Sequence, residues 1–532
     1  MRPPTRRRSL PALLPLLAIG VVIADLVVDV PAARAAALLT VRIDGTSGVL
    51  APGAPIAYRV PDCLVDGTDW RVTDSEGASV GSGSHRTAAA PTAARALPGG
   101  TATKPGIYRL TVTCGAATGS TRFVRSSGPA VVDPFFAFNV GGSPGPKTDV
   151  LPTFRALGGG GYRQDLQWQA VEKVAGRFDF APVDARVDAW VRDADVAPLF
   201  VLDYGNVAHT GGAMTPPDMA VPAQRAAWER FVSTSVRHLR DRYPDADLSF
   251  EVWNEWNNFH GSFPATPEAY LPLAEATFHA VRSADPTARV VGPGVNAVSA
   301  RERDWMTRWF ALGGARWVDA ISVHPYSQPW APENCAAGTG CITETLAALK
   351  AQAKANPSAS GAPAPVWITE VGWSATGVTG VGESDLAAFL VRTHALAARS
   401  GVERLYTFEL NWPVNAGERT YGLTHDVASG FEPRPAAAAY LTMQRMLAGM
   451  RATGSRTRDT TREIQFVSAD GHRHVRVVWQ TVDRFADQSI AIPLPTTGTL
   501  VESTGASKAV TATKGLLTMT AKWAPRYVVW QD

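Results

Sequence analysis

Two glutamates carry the chemistry that this sequence can do. Glu255 falls in residues 248–257, L-S-F-E-V-W-N-E-W-N, and Glu370 falls in residues 365–373, P-V-W-I-T-E-V-G-W. Each stretch begins on β-forming residues and reaches its acid where an apolar strand gives way to a loop. A carboxylate beside a carboxamide, Asn254-Glu255, suits work on a sugar hydroxyl, with the acid giving a proton and the amide orienting. One such acid is weak evidence, because most carboxylates are solvated surface groups. Two acids capping two parallel strands of one barrel are the pair that glycosidic bond cleavage requires. A glycosidic oxygen leaves poorly unless protonated, so Glu255 has to keep its proton until the bond breaks, and Trp253 and Trp256 would help by limiting its solvation. Glu370 has to be ionised to attack the anomeric carbon.

The elements that must position these acids are legible as a change of rhythm at residue 132. From there to 448, strand patterns alternate with helix patterns. Eight strands are expected, at 135–140, 161–166, 197–204, 248–255, 288–295, 320–326, 366–372 and 405–411. Between them, Trp228, Phe231, Ser235, Leu239 and Tyr243 recur at three and four residues, giving one inward stripe. Thr266-Pro267-Glu268 is a helix start and Asp285-Pro286 a stop. A further helix opens at Ser384, turns Phe389, Leu390 and Leu396 inward, and ends at Gly401. This predicts a (β/α)8 TIM barrel with its site at the strands' carboxyl ends. An open doubly wound sheet competes, but no Gly-rich nucleotide fingerprint follows the first strand.

The barrel is flanked by β-rich regions. Residues 38–128 read as an immunoglobulin-like β-sandwich carrying Cys63, Trp70, Tyr108 and Cys114, and residues 451–532 as a C-terminal small β-sandwich domain. All the candidate catalytic residues lie between Arg163 and Trp412, so the N-terminal sandwich is expected to be dispensable for the chemical step. Residues 1–35 have the form of a signal peptide: Arg6, Arg7 and Arg8, an apolar run, then Ala33-Arg34-Ala35. Asp25 and Asp29 interrupt that run and disfavour a permanent span. The expected location is therefore secreted, extracellular and associated with a cell wall, with no membrane attachment after cleavage. Four cysteines fit an oxidising compartment, and proximity in the chain predicts bridges Cys63–Cys114 and Cys335–Cys341. No C-x-x-C spacing or His cluster argues for a metal or other cofactor. A net charge of +3 is too small to argue for a nucleic-acid partner, 16 Trp and 11 Tyr suit a carbohydrate partner, and oligomeric state leaves no signal.

Together these segments resemble glycoside hydrolase clan A, the retaining (β/α)8 glycosidases, over about residues 133–450. Family 39 is the nearest likeness and family 5 the next. The resemblance implies that Glu255, after Asn254, is the acid/base and that Glu370, in Ile368-Thr369-Glu370, is the nucleophile. It implies that Arg163 on strand two helps hold the nucleophile ionised. His324 and Tyr326, in S-V-H-P-Y, resemble the pair beside it, and Trp412 resembles the aromatic floor of the sugar subsite. Asn254 would hold the sugar 2-hydroxyl. Family 39 includes β-xylosidases, α-iduronidases and exopolysaccharide-cleaving endoglycosidases, so an oligo- or polysaccharide is the implied substrate.

Rival assignments carry less. A non-catalytic carbohydrate-binding barrel should lack one of the two acids, and both are present. A metal-dependent barrel hydrolase needs His and Asp ligands on several strands, whereas the strands offer only His324. The glycines at 158–161 favour a turn over a phosphate cradle, and His472-Arg473-His474 a solvated strand face over a metal site. Asp165 and Trp168 after strand two, and Asp203, Tyr204 and His209 after strand three, are placed either to line the cleft or to support it. Trp330 and the loop at 335–341 are placed to wall it.

Overall fold

The computed structural model describes residues 39–45, 47–63, 67–86, 93–141, 148–194, 196–258, 263–334, 341–411, 420–425, 429–482 and 487–532. The signal-peptide assignment, Cys335 and Trp412 lie outside the described residues.

Eight parallel strands close into a barrel: β1 (Asp133–Asn139), β2 (Gly159–Gln167), β3 (Ala197–Asp203), β4 (Ser249–Val252), β5 (Arg289–Asn296), β6 (Ala320–His324), β7 (Val366–Val371) and β8 (Arg404–Thr407). Each expected strand is present, and β8 pairs back onto β1 through Leu405↔Phe136. β3, A-P-L-F-V-L-D, is buried at every position, as a strand covered by helices outside and side chains inside must be. The barrel interior is filled by Ala137, Leu199, Val291, Ala320, Trp367 and Tyr406. Gly160 lies where strand meets strand: a Cβ there would sit 2.2 Å from the Asp133 carbonyl oxygen. Gly158, at φ 73°, makes the turn that precedes it, as the glycine run predicts.

The helices follow the sequence signals. α1 (Pro222–Arg242) buries Trp228, Phe231, Ser235 and Leu239. α2 (Pro267–Ala284) starts on Thr266, whose side chain accepts from the Ala269 amide, and stops before Asp285. α3 (Glu383–Arg399) follows the strand that carries Glu370 and buries twelve residues in succession, from Leu386 to Ala397. A surface helix needs only one apolar stripe, so burial all round means that something covers α3's outer side.

The C-terminal domain does so, while the N-terminal domain reaches only the first residue of α3. The N-terminal domain is a sandwich of a three-stranded and a five-stranded sheet, closed by the Cys63–Cys114 disulfide. Its Arg122 reaches across to Glu383 at the start of α3 (2.5 Å) and to Glu432 (2.6 Å). Ile107 and Val124 of that sandwich belong to the barrel's own apolar cluster. The candidate catalytic groups lie outside residues 38–125, and the sandwich packs against the barrel wall. The C-terminal domain pairs a six-stranded with a two-stranded sheet. Its Trp523 donates to Asp385 (2.9 Å), and Arg392 of α3 enters it to donate to the Gln480 and Trp523 carbonyls. The Arg392 guanidinium pairs with Glu333 (2.8 Å) and lies over the Trp523 ring at 4.0 Å.

Arg392 is wholly buried, so removing Glu333 would leave an uncompensated charge. Replacing Glu333 with alanine is expected to destabilise the chain by about 3–5 kcal/mol, as a fall in the thermal midpoint measured by calorimetry. An unchanged midpoint would mean that the C-terminal domain is not held through this pair.

Elsewhere the structure assigns structural roles. His474 pairs with Asp532 (2.8 Å) and stacks on Trp530, which accounts for the H-x-H segment. His209 pairs with Glu172 (3.0 Å) and stacks on Trp168, so these two residues brace each other. Cys341 is buried and disulfide-bonded.

Candidate active site

β4 ends earlier than its apolar pattern suggests, at Val252 rather than at 255. Trp253 and Glu255 take left-handed backbone angles, φ 64° and 48°, which side-chain-bearing residues rarely adopt. Each costs on the order of 1–3 kcal/mol and persists only where surrounding contacts impose it. Trp253 is fully buried, and its amide still donates to the Leu202 carbonyl (3.2 Å). The Glu255 amide donates to the Gly294 carbonyl on β5 (2.8 Å). β7 also stops short, at Val371; at Gly372 a Cβ would sit 1.9 Å from the Phe408 carbonyl oxygen, so β7 and β8 meet there.

These ends bring the expected residues together. Arg163 on β2 is the hub, and it is buried. Its Nη1 donates to Glu370 Oε1 (2.5 Å) and to Asn139 Oδ1 (3.1 Å), and its Nη2 to Asn254 Oδ1 (2.8 Å). Tyr326 donates its hydroxyl hydrogen to Glu370 Oε2 (2.8 Å). Glu370 is therefore met by a cation on one oxygen and a hydroxyl on the other, which fixes both oxygens in place. Asn254 donates to the Tyr204 hydroxyl (3.3 Å), which commits one of its two N–H groups.

Glu255 sits on the other side. Its Oε1 lies 2.9 Å from His324 Nδ1, and its Oε2 accepts from Asn258 (3.2 Å). His324 is wholly buried, with Nε2 on the Thr369 hydroxyl at 3.1 Å. Burial is the largest influence on both members of this pair, and it opposes charge on each. The hydrogen bond and charge of His324, with Asn258 and Arg163, outweigh it and hold the Glu255 carboxyl down to about 2. The Glu370 and Glu255 carboxylates likewise lift the His324 imidazole above its ordinary value. Trp253 and Trp256, the neighbours expected to limit solvation of Glu255, are both buried. A histidine from β6 reaches Glu255, and both shifts favour a charged pair along this 2.9 Å contact.

Single atoms of Glu255, His324 and Glu370 all lie within 4.8 Å of one another. That spacing could also hold a cation, but the Arg163 guanidinium on Glu370 opposes a second positive charge there. Glu370 opens into a cavity of about 190 Å³, which Asn139, Asp165, Tyr204, Asn254, Phe408 and Glu409 help to line. A cavity of about 500 Å³ lies at the opposite end of the barrel, around Gly160, Ala197 and Tyr243, away from the paired acids.

Several participants escaped sequence reasoning. Phe408 stacks edge-on against Tyr326 and Tyr421, and so presents an aromatic wall within the described part of the cavity. Glu409 is buried beside Gly141, where a Cβ would lie 3.1 Å from its Oε2. Asp203, which the sequence already placed at the end of strand three, is buried with neither carboxyl oxygen hydrogen-bonded, and burial, then Asp165, pushes it well above the carboxylate range. Glu251, in the middle of β4, pairs with Arg163 Nε at 2.6 Å. An acid inside an apolar strand was the available signal for Glu251, since buried charges require partners.

Residues 161–397 match the model of glycosyl hydrolases family 39. A β-xylosidase of Geobacillus stearothermophilus is 27% identical over 159 residues, which is 28% of this chain and 31% of that protein. The chain thus matches about a third of the length of that curated relative. Among solved structures, a family 39 glycoside hydrolase from the gut symbiont Bacteroides cellulosilyticus WH2 superposes with a TM-score of 0.76 at 20% identity, covering 92% of this chain and 100% of the other. A β-xylosidase from Caulobacter crescentus gives 0.53 at 17%, covering 77% and 98%. The structural likenesses establish the fold, a barrel with added β-rich domains. With the family match, the comparisons support a glycoside hydrolase enzyme, and family 39 over family 5.

Proposed function

We propose that this chain is a secreted, retaining glycoside hydrolase that cleaves an oligo- or polysaccharide by double displacement. The observation that carries the mechanism is the approach of the two acids. Oxygens of Glu255 and Glu370 lie within 4.8 Å of each other, which fits the roughly 5–5.5 Å separation of retaining enzymes better than the 6.5–9.5 Å that admits a water. Glu370 attacks the anomeric carbon, the glycosidic bond breaks, and the leaving oxygen takes the one proton held by the Glu255–His324 pair. Esterified Glu370 no longer carries the charge that supports the His324 cation, so the pair stays unprotonated until water arrives. Glu255 then accepts a proton from that water as it attacks, the sugar–Glu370 bond breaks, and the pair regains its proton. The remaining N–H of Asn254 is placed for the sugar 2-hydroxyl, a contact that tightens as positive charge develops on the ring. A β-xyloside is the first substrate to try, given the curated relative.

Early-time NMR of the first-formed sugar tests the stereochemistry: the product should keep the anomeric configuration of the substrate. A first product of opposite configuration would end the double-displacement mechanism and mean that some other carboxylate activates water.

The pair also sets a pH dependence. His324 is raised above 6.5, so its proton is fully held below that value and is lost as pH rises through the higher folded value. Glu255 is depressed, so its charge is present above 4.5 and is lost only as pH falls toward about 2. The basic limb of kcat/KM should therefore lie above pH 6.5. In His324→Asn the proton must sit on Glu255 alone, so the limb should move to lower pH, with a loss of about 10²-fold near neutrality. A limb that stays in place would mean that His324 does not share the acid proton.

A further inference from the structure

Glu251 does not face the cavity, yet it is bound to the residue that holds the nucleophile. It lies on β4 in register with Val201 of β3 and Val291 of β5, wholly buried. Its Oε2 accepts from Arg163 Nε at 2.6 Å, while Oε1 is buried without a hydrogen-bond partner. Oε1 points at Gly294, where a Cβ would stand 3.0 Å away and where the chain takes φ 61°. The Gly294 carbonyl in turn holds the Glu255 amide. One guanidinium is thus divided between two carboxylates, Glu251 at 2.6 Å and Glu370 at 2.5 Å.

We propose that Glu251 is a positioning residue that limits how much of Arg163's charge falls on Glu370, keeping that carboxylate reactive. The argument rests on Glu370 being the glycosidase nucleophile. A carboxylate fully neutralised by an arginine is a poor nucleophile and a good leaving group; one that shares its arginine attacks better and leaves less readily. Glu251 has a second oxygen without competing donors, so its own hold on Arg163 is strong. The other groups facing this cluster do not substitute for it. Asn139 from β1 and Asn254 are neutral. Burial raises Asp165 on β2 and Asp203 on β3 toward the neutral form. His324 at the end of β6 and Tyr326 just after it face Glu370 rather than the Nε edge of Arg163. Glu409, after β8, faces Gly141.

The test is Glu251→Gln in the full chain, which keeps shape and removes charge. The two chemical steps should move in opposite senses. With an aryl glycoside of poor leaving ability, where attack by Glu370 limits, kcat/KM should fall at least tenfold. With a dinitrophenyl glycoside, where hydrolysis of the glycosyl-enzyme limits, kcat should hold or rise and the pre-steady-state burst should shrink. Glu251→Asp, which retains the charge, should return every readout toward wild type, and it carries the test if the Gln variant folds poorly. Equal losses in both steps, or identical behaviour of Gln and Asp, would overturn the proposal and leave Glu251 a spacer. A wild-type protein inert toward every glycoside would overturn the glycosidase assignment itself, and this inference with it.

Discussion

Glu370→Ala is expected to abolish turnover of every glycoside, a loss on the order of 10⁶-fold, the size seen when a covalent nucleophile is removed from a preorganised site. The magnitude follows from the geometry. Arg163 and Tyr326 hold one oxygen each, so the carboxylate is fixed at its point of attack before substrate arrives. No other described carboxylate has the same two partners. Asp165 and Asp203 are pushed toward neutrality by burial, and Glu255 is engaged by His324. The vacated space should admit a small anion. Azide added to the alanine variant should attack a substrate bearing a good leaving group and give a glycosyl azide of inverted configuration, one displacement instead of two. Substantial residual turnover with retained configuration in Glu370→Ala would sink its role as nucleophile.

The second large effect is that of Glu255→Ala, and it should depend on the leaving group. Substrates whose aglycone needs protonation should lose about 10²–10⁴-fold, the usual contribution of a positioned general acid. Dinitrophenyl glycosides, which leave unaided, should still form the glycosyl-enzyme and then stall, because no base remains to activate water. Azide should relieve that stall from the space the carboxylate left, and the product should have retained configuration. Equal loss for good and poor leaving groups would show that Glu255 supports the fold of the strand end rather than the proton transfer. The left-handed backbone at Glu255 makes that control necessary: alanine is no more at ease there than glutamate, so an alanine variant tests the carboxyl and leaves the strain in place.

The sequence by itself determined the architecture and the principal acids. Strand and helix periods differ, the caps at Thr266 and the proline at residue 286 mark helix ends, and eight alternations in one segment have few other ways to close. A polar residue where an apolar strand stops is a local signal, so Asn254, Glu255 and Glu370 were legible, whereas Arg163, inside its strand, was marked only by the family resemblance. The tertiary structure decided what depends on neighbours from other strands. His324 was visible as a residue, but only closure of the barrel, with β5 between β4 and β6, put it 2.9 Å from Glu255. Glu251 could be read as an odd acid in a strand, but its sharing of Arg163 arises from three strands meeting. The early end of β4 reflects two left-handed residues that no propensity favours and that only fixed surroundings impose. The docking of both β domains on the barrel was hidden for the same reason: its cause lies in Arg122 with Glu383 and in Trp523 with Asp385, residues far apart in the chain that meet only once the barrel has closed.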